Sequence, residues 1–267
     1  MPNHTEGFLI DLDGTVYRGE RLIEGAADTI RLIASRGKRF VFVSNRGNIS
    51  RAMCQEKLAQ MGLEVPPETL LLTSTVTAMY LRDHHPDSSV WVLGEQGLKD
   101  ELTAFGIRLA LRPEAAGWLV ITLHETLTYQ DLNQAFRAVR SGANIIATNA
   151  DRMVPTEEGD CIDVAGMIGA IAYSTGKDPD VVVGKPSSIM ADAALRVLGL
   201  PPDRCMVIGD SLSSDIALAG SHGMRSALVL SGSATREDAD GHAGHRPDMI
   251  WHSLADLRQY LEEGRSS

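Results

Sequence analysis

Apolar and polar positions along this chain follow two periods, one typical of buried strands and one typical of amphipathic helices. Short β-branched runs such as RFVFVSN alternate with longer segments such as GAADTIRLIASRG, which has apolar residues at helical spacing. This alternation predicts βαβ units and a parallel sheet with right-handed crossovers, and hence an α/β fold. The predicted strands are 8–11, 39–45, 69–74, 89–94, 118–123, 144–149, 180–186, 205–210 and 226–232. The predicted helices are 25–37, 49–61, 75–83, 95–105, 128–140, 163–175, 187–198 and 214–222, and the polar segment 233–247 is predicted to be a surface loop.

Polar residues stand at the ends of the first two strands and of two late strands. In open α/β sheets, ligands bind beyond the carboxyl ends of the strands. Asp11, Ser44, Lys185 and Asp210 are therefore expected to converge on one crevice. The 267 residues suffice for two modest domains, and the middle series of elements is expected to form a second domain over that crevice.

Composition and charge exclude several classes of protein. Hydrophobic residues make up 43% and charged residues 22%, which favours a globular chain over a disordered one. The formal net charge of -10 argues against nucleic acid as the main partner.

Cys54, Cys161 and Cys205 lie far apart, so neither a disulfide framework nor a thiolate zinc site is predicted. The chain shows no basic and apolar leader and no long apolar run, so a cytoplasmic protein without a membrane partner is expected.

Asp11 and Asp13 end the apolar strand in FLIDLDGTVY, where burial and mutual repulsion penalise both charges. A hard divalent cation would resolve that conflict, because Mg²⁺ prefers oxygen ligands and takes one or two carboxylates together with phosphate oxygens. The alternative is a turn in which Asp13 and Gly14 supply the local chemistry and Asp11 caps a backbone amide. Taken by itself, the pair leaves both interpretations open.

Three further strand ends carry candidate chemistry. Ser44 and Asn45, in VFVSNRG, could donate hydrogen bonds to a phosphate, or the segment could simply cap the next helix. Lys185, in VVVGKPSS, is either a solvated strand end or the cation for an anionic group, and no phosphate-binding glycine loop precedes it. Asp210 would complete a magnesium site with the first two aspartates, whereas Asp215 could equally be a favourable charge at a helix amino terminus.

These segments, in their order and spacing, resemble the four motifs of the haloacid dehalogenase-like (HAD) hydrolase superfamily. The middle segment IIATNADRMVPTEEG is similar to the cap signature of the branch that contains NagD and the p-nitrophenyl phosphatases. The resemblance implies a Rossmann-like core at 1–75 and 181–267 and an inserted α/β cap at 76–180 that selects the substrate. The four motifs, in chain order, are DLDGT, VSN, GKP and GDSLSSD.

The same resemblance implies a Mg²⁺-dependent phosphatase that hydrolyses phosphate monoesters of small metabolites. Asp11 would be the nucleophile that forms an aspartyl-phosphate, and Asp13 the general acid and base. The ion would be held by the side chains of Asp11 and Asp210 and by the backbone carbonyl of Asp13. Ser44, Asn45 and Lys185 would bind the phosphoryl group, and Asp215 would orient the lysine or a water on the metal.

The resemblance leaves the substrate open among sugar phosphates, nucleoside monophosphates, glycerol phosphates and phosphoglycolate. It leaves the oligomeric state open as well, although caps of this branch often mediate homodimers. A phosphomutase and a non-catalytic sensor of a phosphorylated metabolite are the alternatives. Two departures from the branch affect specificity. Arg46 stands where the branch usually has asparagine, and would read a second anionic group or point into solvent. The run EEGDCIDVAG replaces a proline- and glycine-rich one, and there Cys161 is expected to be a small buried residue or, with Asp151, to contact the leaving group.

Overall fold

The computed structural model describes residues 5–156 and 159–263, and it confirms the predicted α/β fold class. The strands, in chain order, are β1 (Gly7–Ile10), β2 (Tyr17–Arg18), β3 (Arg21–Leu22), β4 (Arg39–Ser44), β5 (Leu70–Leu72), β6 (Ser89–Leu93), β7 (Arg108–Leu109), β8 (Trp118–Ile121), β9 (Asn144–Ala147), β10 (Met153–Thr156), β11 (Gly159–Ile162), β12 (Val181–Val182), β13 (Cys205–Gly209), β14 (Arg225–Val229) and β15 (Met249–Trp251). The helices are α1 (Ala26–Ser35), α2 (Arg51–Gln60), α3 (Thr73–His84), α4 (Gln96–Ala104), α5 (Tyr129–Arg140), α6 (Val164–Thr175), α7 (Ser188–Leu198), α8 (Ala217–Ser221), α9 (Arg236–Gly241) and α10 (Leu257–Glu263).

A six-stranded sheet has the order β15-β14-β13-β1-β4-β5 and takes three strands from each end of the chain. It is called the core sheet below. Strand β1 pairs in parallel with both β13 and β4, so that Ile10 lies opposite Ile208 and Phe42. Every residue of β1 is buried, as its unbroken apolar run requires for a strand covered on both faces. The carboxyl ends of β1, β4 and β13 consequently meet at one edge of the sheet.

A second sheet of five strands has the order β12-β9-β8-β6-β7, and its pairs are all parallel. Its core packs apolar residues of β8 and β9 against α5 and α6, with Leu119, Ile121 and Ile145 facing Ala135 and Val164. Helix α5 begins with a capping box between Thr128 and Asp131, which satisfies backbone donors at its first turn.

The described chain divides into two compact units. Unit 1 takes the described residues up to Ser44, then Gln55–Leu71, and then those from Lys185 onward. Unit 2 takes Asn45–Cys54 and Leu72–Gly184. Residues 45–54 thus group with the five-stranded sheet, although the expected division at residue 75 assigned them to the core.

Two element predictions differ from the structure in the middle of the chain. The predicted strand 180–186 is only two residues long, and Val181 and Val182 pair with β9 of the second sheet rather than with the core sheet. The predicted strand 69–74 ends at Leu72, because Thr73 and Ser74 already belong to α3.

The predicted loop 233–247 contains the short helix α9. A reciprocal capping box starts this helix, because the Thr235 hydroxyl accepts from the Asp238 amide while the Asp238 carboxylate accepts from the Thr235 amide. The pattern also missed β15, α10 and the hairpin of β10 and β11, which are short or lack a clear period. Among the described residues, no helix combines the length and the apolar character that crossing a bilayer demands.

Candidate active site

Asp11 follows β1 directly and continues its ladder, since its amide donates to the carbonyl of Ile208 at 2.8 Å. The ladder fixes the backbone, and only 6% of the residue is exposed. Asp11 therefore projects from the middle of the core sheet at the edge where ligands bind in this class of fold.

Lys185 lies beside Asp11 and is also buried, with 5% of the residue exposed. Its Nζ donates to Oδ1 of Asp11 at 2.5 Å, to Oδ1 of Asp215 at 2.7 Å and to the carbonyl of Val43 at 3.0 Å. The alternative of a solvated strand end is wrong, because the ammonium group is buried and donates to these groups inside the protein.

Asp215 is fully buried within a π-helical turn, Leu212–Ile216. Its Oδ1 accepts from Lys185, and its Oδ2 accepts from the backbone amide of Ser211 at 3.1 Å. Asp215 therefore does more than place a charge at a helix terminus, because it binds the same ammonium group as Asp11 and so helps to hold the lysine in the site.

Asp210 follows β13 and is held by Ser233, a residue of the predicted surface loop 233–247 to which the sequence assigned no role at the site. The amide of Ser233 donates to Asp210 Oδ2 at 2.6 Å, and the Ser233 hydroxyl donates to the Asp210 carbonyl at 3.1 Å. Gly14 lies against the same carboxylate with φ at 80°, and a side chain on Gly14 would collide with Asp210. No spacing rule pointed to Ser233, because only the fold brings it to Asp210.

Asp13 is half-buried two residues beyond Asp11, in a tight turn. The hydroxyl of Tyr17 donates to Asp13 Oδ2 at 3.1 Å, and the amide of Gly14 donates to the carbonyl of Tyr17 at 2.8 Å. Tyr17 is a site-supporting residue that the sequence reasoning missed, although it lies only two residues beyond the first motif.

Burial disfavours the charged forms of the side chains in this cluster. Desolvation raises the pKa of Asp11, the carboxylates of Asp215 and Asp210 add to the rise, and Lys185 opposes it. Burial likewise raises the pKa of Asp210, with a further contribution from Asp215. Burial alone disfavours the ammonium of Lys185, but the charges of Asp11 and Asp215 prevail and raise its pKa above the usual range.

Ser44 and Asn45 fall in different compact units. Ser44 ends β4 and is buried in unit 1. Asn45 is half-buried in unit 2, where its side-chain amide donates to Oδ2 of Asp151 at 2.9 Å. The phosphoryl-binding roles of both residues stay predictions.

The residues singled out for specificity lie in unit 2. Arg46 is half-buried. Burial raises the pKa of Asp163, and the charge of Arg46 opposes part of that rise. Cys161 is exposed on β11, so the expectation of a buried thiol is wrong. Glu157 and Glu158, within the divergent run, lie outside the described residues.

The cluster fits a divalent cation. One carboxylate oxygen from each of Asp11, Asp210 and Asp215 lies within 4.8 Å of the others, and all three residues are buried. Lys185 offsets only part of their charge, and an all-oxygen donor set suits a hard ion. Asp215 thus lies beside Asp11 and Asp210, the two side-chain ligands predicted from sequence. Which of these residues bind the metal stays a prediction.

Comparison with known proteins agrees with this geometry. The family of haloacid dehalogenase-like hydrolases matches residues 8–108, and a HAD-hydrolase-like family matches residues 182–257. The sugar-phosphatase AraL of Bacillus subtilis is 54% identical over 98% of this chain and 96% of its own length. The 5'-nucleotidase YutF of the same organism is 34% identical over 96% of this chain and 97% of its own length.

Among solved structures, the p-nitrophenyl phosphatase from Archaeoglobus fulgidus superimposes with a TM-score of 0.91. It is 34% identical in sequence, over 96% of this chain and 99% of its own. A 4-nitrophenylphosphatase from Thermotoga maritima has the same TM-score at 31% identity, over 96% and 97% of the two chains.

The core sheet with its acidic edge and these matches define the class, and the chain belongs to the haloacid dehalogenase-like hydrolases. Within that family it falls in the branch of NagD and the p-nitrophenyl phosphatases, as its motifs predicted, and it is a phosphatase.

Proposed function

We propose that the protein hydrolyses phosphate monoesters of small metabolites with Mg²⁺ and through an aspartyl-phosphate on Asp11. The observation that carries the proposal is the buried contact of Asp11 with Lys185, in a cluster of three carboxylates. Phosphatases of this family generally use a divalent metal, and the oxygen donors of the cluster suit magnesium.

In the first step, a carboxylate oxygen of Asp11 attacks phosphorus, and the bond from phosphorus to the ester oxygen breaks. Asp13 gives its proton to the departing oxygen, which leaves as an alcohol. The hydrogen bond from Lys185 fixes the rotation of the Asp11 carboxyl group, and its charge reduces the repulsion between that carboxylate and the phosphate.

In the second step, Asp13 takes a proton from water, and the resulting hydroxide attacks the phosphorus of the acyl phosphate. The bond from phosphorus to the Asp11 oxygen breaks, which releases inorganic phosphate and regenerates the carboxylate. The side chains of Asp11 and Asp210 and the backbone carbonyl of Asp13 would hold the metal, with the Asp215 carboxylate beside them, and the metal when bound neutralises charge on the phosphoryl group.

Sugar phosphates are the first substrates to test, because the relative with 54% identity is a sugar-phosphatase. Nucleoside monophosphates come next, because YutF is a 5'-nucleotidase. The unit-2 sheet would serve as the cap that selects among them. The homodimer through the cap and the cytoplasmic location stay predictions.

Release of inorganic phosphate from a panel of sugar phosphates, nucleoside monophosphates and p-nitrophenyl phosphate tests the proposal. We expect turnover that needs Mg²⁺, stops with chelator and disappears in Asp11→Asn. Asp192→Asn, at an exposed position on α7, is the matched control. Undiminished turnover by Asp11→Asn would overturn the nucleophile assignment. Phosphate binding without any turnover would favour the sensor instead.

A further inference from the structure

The segment Asn45–Cys54 belongs to unit 2, although β4 leads into it from the core sheet. It includes Asn45, which the proposed function assigns to the phosphoryl group, and it runs into the first turn of α2. Its placement therefore depends on contacts within unit 2, and these contacts can be followed residue by residue.

Asn45 is anchored through both its backbone and its side chain. Its carbonyl accepts from the Thr73 hydroxyl at 2.9 Å and from Nδ2 of Asn149 at 2.8 Å. Its side-chain amide donates to Asp151 at 2.9 Å. Three polar side chains from two parts of unit 2, the start of α3 and the loop after β9, thus hold one residue.

The next residues fill the carboxyl edge of the unit-2 sheet. A side chain on Gly47 would collide with the hydroxyls of Thr122 and Thr148, which follow β8 and β9 and are joined by a hydrogen bond of 2.9 Å. A side chain on Gly97, in α4, would collide with the backbone of Asn48. The edge at which parallel sheets commonly bind ligands is here covered by the protein's own chain.

Glu101 of α4 fastens the far end of this segment. It is buried, with 3% of the residue exposed. Its Oε2 accepts from the backbone amide of Arg51 at 2.9 Å, and its Oε1 accepts from Nε of Arg51 at 2.7 Å and from the Thr75 hydroxyl at 2.9 Å. A buried carboxylate is tolerated only with such partners, and charge-assisted bonds are the stronger kind.

We infer that Glu101 is a positioning residue for Asn45, which it fixes by locking the segment 45–51 onto unit 2. The inference rests on the proposed function, because the role of Asn45 toward the phosphoryl group is proposed there. Glu101 lies outside every motif that the sequence analysis singled out. Its partners are 50 and 26 positions away along the chain, so no local spacing reveals it.

The test is a cycle of Glu101→Gln, Asn45→Ala and the double variant, assayed with p-nitrophenyl phosphate. Glutamine keeps the shape of the side chain but removes the charge that binds Arg51. We expect Glu101→Gln to lower kcat/KM by about tenfold or more, because small displacements of positioning groups are costly. The double variant should lose no more than Asn45→Ala alone, because both changes act on one element. The inference would be overturned if the kcat/KM losses of the two single variants multiply in the double variant. It would also be overturned if Glu101→Gln keeps kcat/KM within about twofold of wild type.

Hydrogen exchange of the backbone amides in 45–54 gives a readout that does not depend on activity. We expect faster exchange there in Glu101→Gln, with β8 and β9 unchanged, and unchanged exchange in 45–54 would contradict the anchoring. Asp180→Asn is the matched control, since Asp180 is a unit-2 carboxylate that accepts from the amide of Ile145 instead.

Two outcomes keep this inference separate from the proposed function. If the wild-type protein hydrolyses no phosphate ester, the proposed function fails, and the exchange of 45–54 still decides whether Glu101 holds the segment. If Glu101→Gln does not fold, Thr75→Val removes one donor from the same carboxylate and keeps the charge pair. That variant should give the same pattern of exchange with a smaller effect, and no change at 45–54 would overturn the anchoring.

Discussion

Lys185 and Asp215 form a buried ion pair with 2.7 Å between Nζ and Oδ1, and the two side chains are 2% and 1% exposed. The same ammonium group contacts Asp11, so one cation joins two carboxylates from distant parts of the chain. A buried charge that loses its partner is destabilising by about 3–5 kcal/mol, which makes each member of this group sensitive to substitution.

Lys185→Met should lower kcat for p-nitrophenyl phosphate by about a hundredfold or more. The reason is that methionine fills the space but leaves the charge of the phosphoryl group and of Asp11 uncompensated. Steady-state kinetics at saturating Mg²⁺ measures the effect. Lys177→Met is the matched control, because the pair of Lys177 with Asp180 is half-exposed and should leave kcat unchanged. Turnover of Lys185→Met close to wild type would show that the lysine has no catalytic part.

Asp210→Asn should stabilise the metal-free protein while it abolishes the response to magnesium. Burial raises the pKa of Asp210, so the ionised side chain costs folding energy at neutral pH, whereas asparagine keeps an oxygen for the Ser233 amide. A gain of about 1 kcal/mol corresponds to a rise in Tm of about 2–4 °C in a protein of this size. Thermal unfolding with chelator and with Mg²⁺ measures both effects.

The sign of this effect follows from the raised pKa. A carboxyl group whose folded pKa lies above its unfolded one adds stability at acidic pH and loses it as the pH rises through the folded value. The gain from Asp210→Asn should therefore shrink toward acidic pH. A lower Tm for Asp210→Asn in chelator at neutral pH would contradict the argument, and Asp192→Asn serves as the exposed control.

Gly14→Ala should weaken both stability and metal binding. Its φ of 80° is strained by about 1–2 kcal/mol for an alanine, and the added methyl would press against the Asp210 carboxylate. Gly19→Ala separates these causes, because Gly19 has a φ of 58° with no atom within 4 Å of the added carbon. Urea unfolding should show a loss in both variants, whereas only Gly14→Ala should need more Mg²⁺ for activity. Equal Mg²⁺ requirements in the two variants would rule out the contact with Asp210.

Thiol reagents should modify Cys161 quickly in the native protein and leave Cys54 and Cys205 untouched. Cys161 is exposed, whereas the other two thiols are buried. Burial, with the nearby charges of Asp203 and Glu6, raises the pKa of Cys205 to about 11, so its reactive thiolate is scarce at neutral pH. Mass spectrometry after brief alkylation counts the modified thiols, and Cys161→Ser should show none until the protein is unfolded. Rapid native labelling of Cys205 would contradict the burial.

The elements around the first motif could be predicted from local sequence alone. The apolar run before Asp11 and the helical spacing of 25–37 specify a buried strand and its crossover helix, because side-chain period and burial act locally. The same local logic failed for 180–186. A β-branched run indicates a strand but not its partner, and here the partner is β9 of the second sheet.

The sequence by itself determined the α/β class, the positions of Asp11 and Asp210 directly after buried strands, and the resemblance to phosphatases. Only the tertiary structure decided that Asp215 holds Lys185, that Ser233 holds Asp210 and that Glu101 holds the segment of Asn45. The physical reason is that hydrogen bonds and ion pairs depend on distances between side chains. Residues far apart in the chain reach such distances only after the sheets have brought them together.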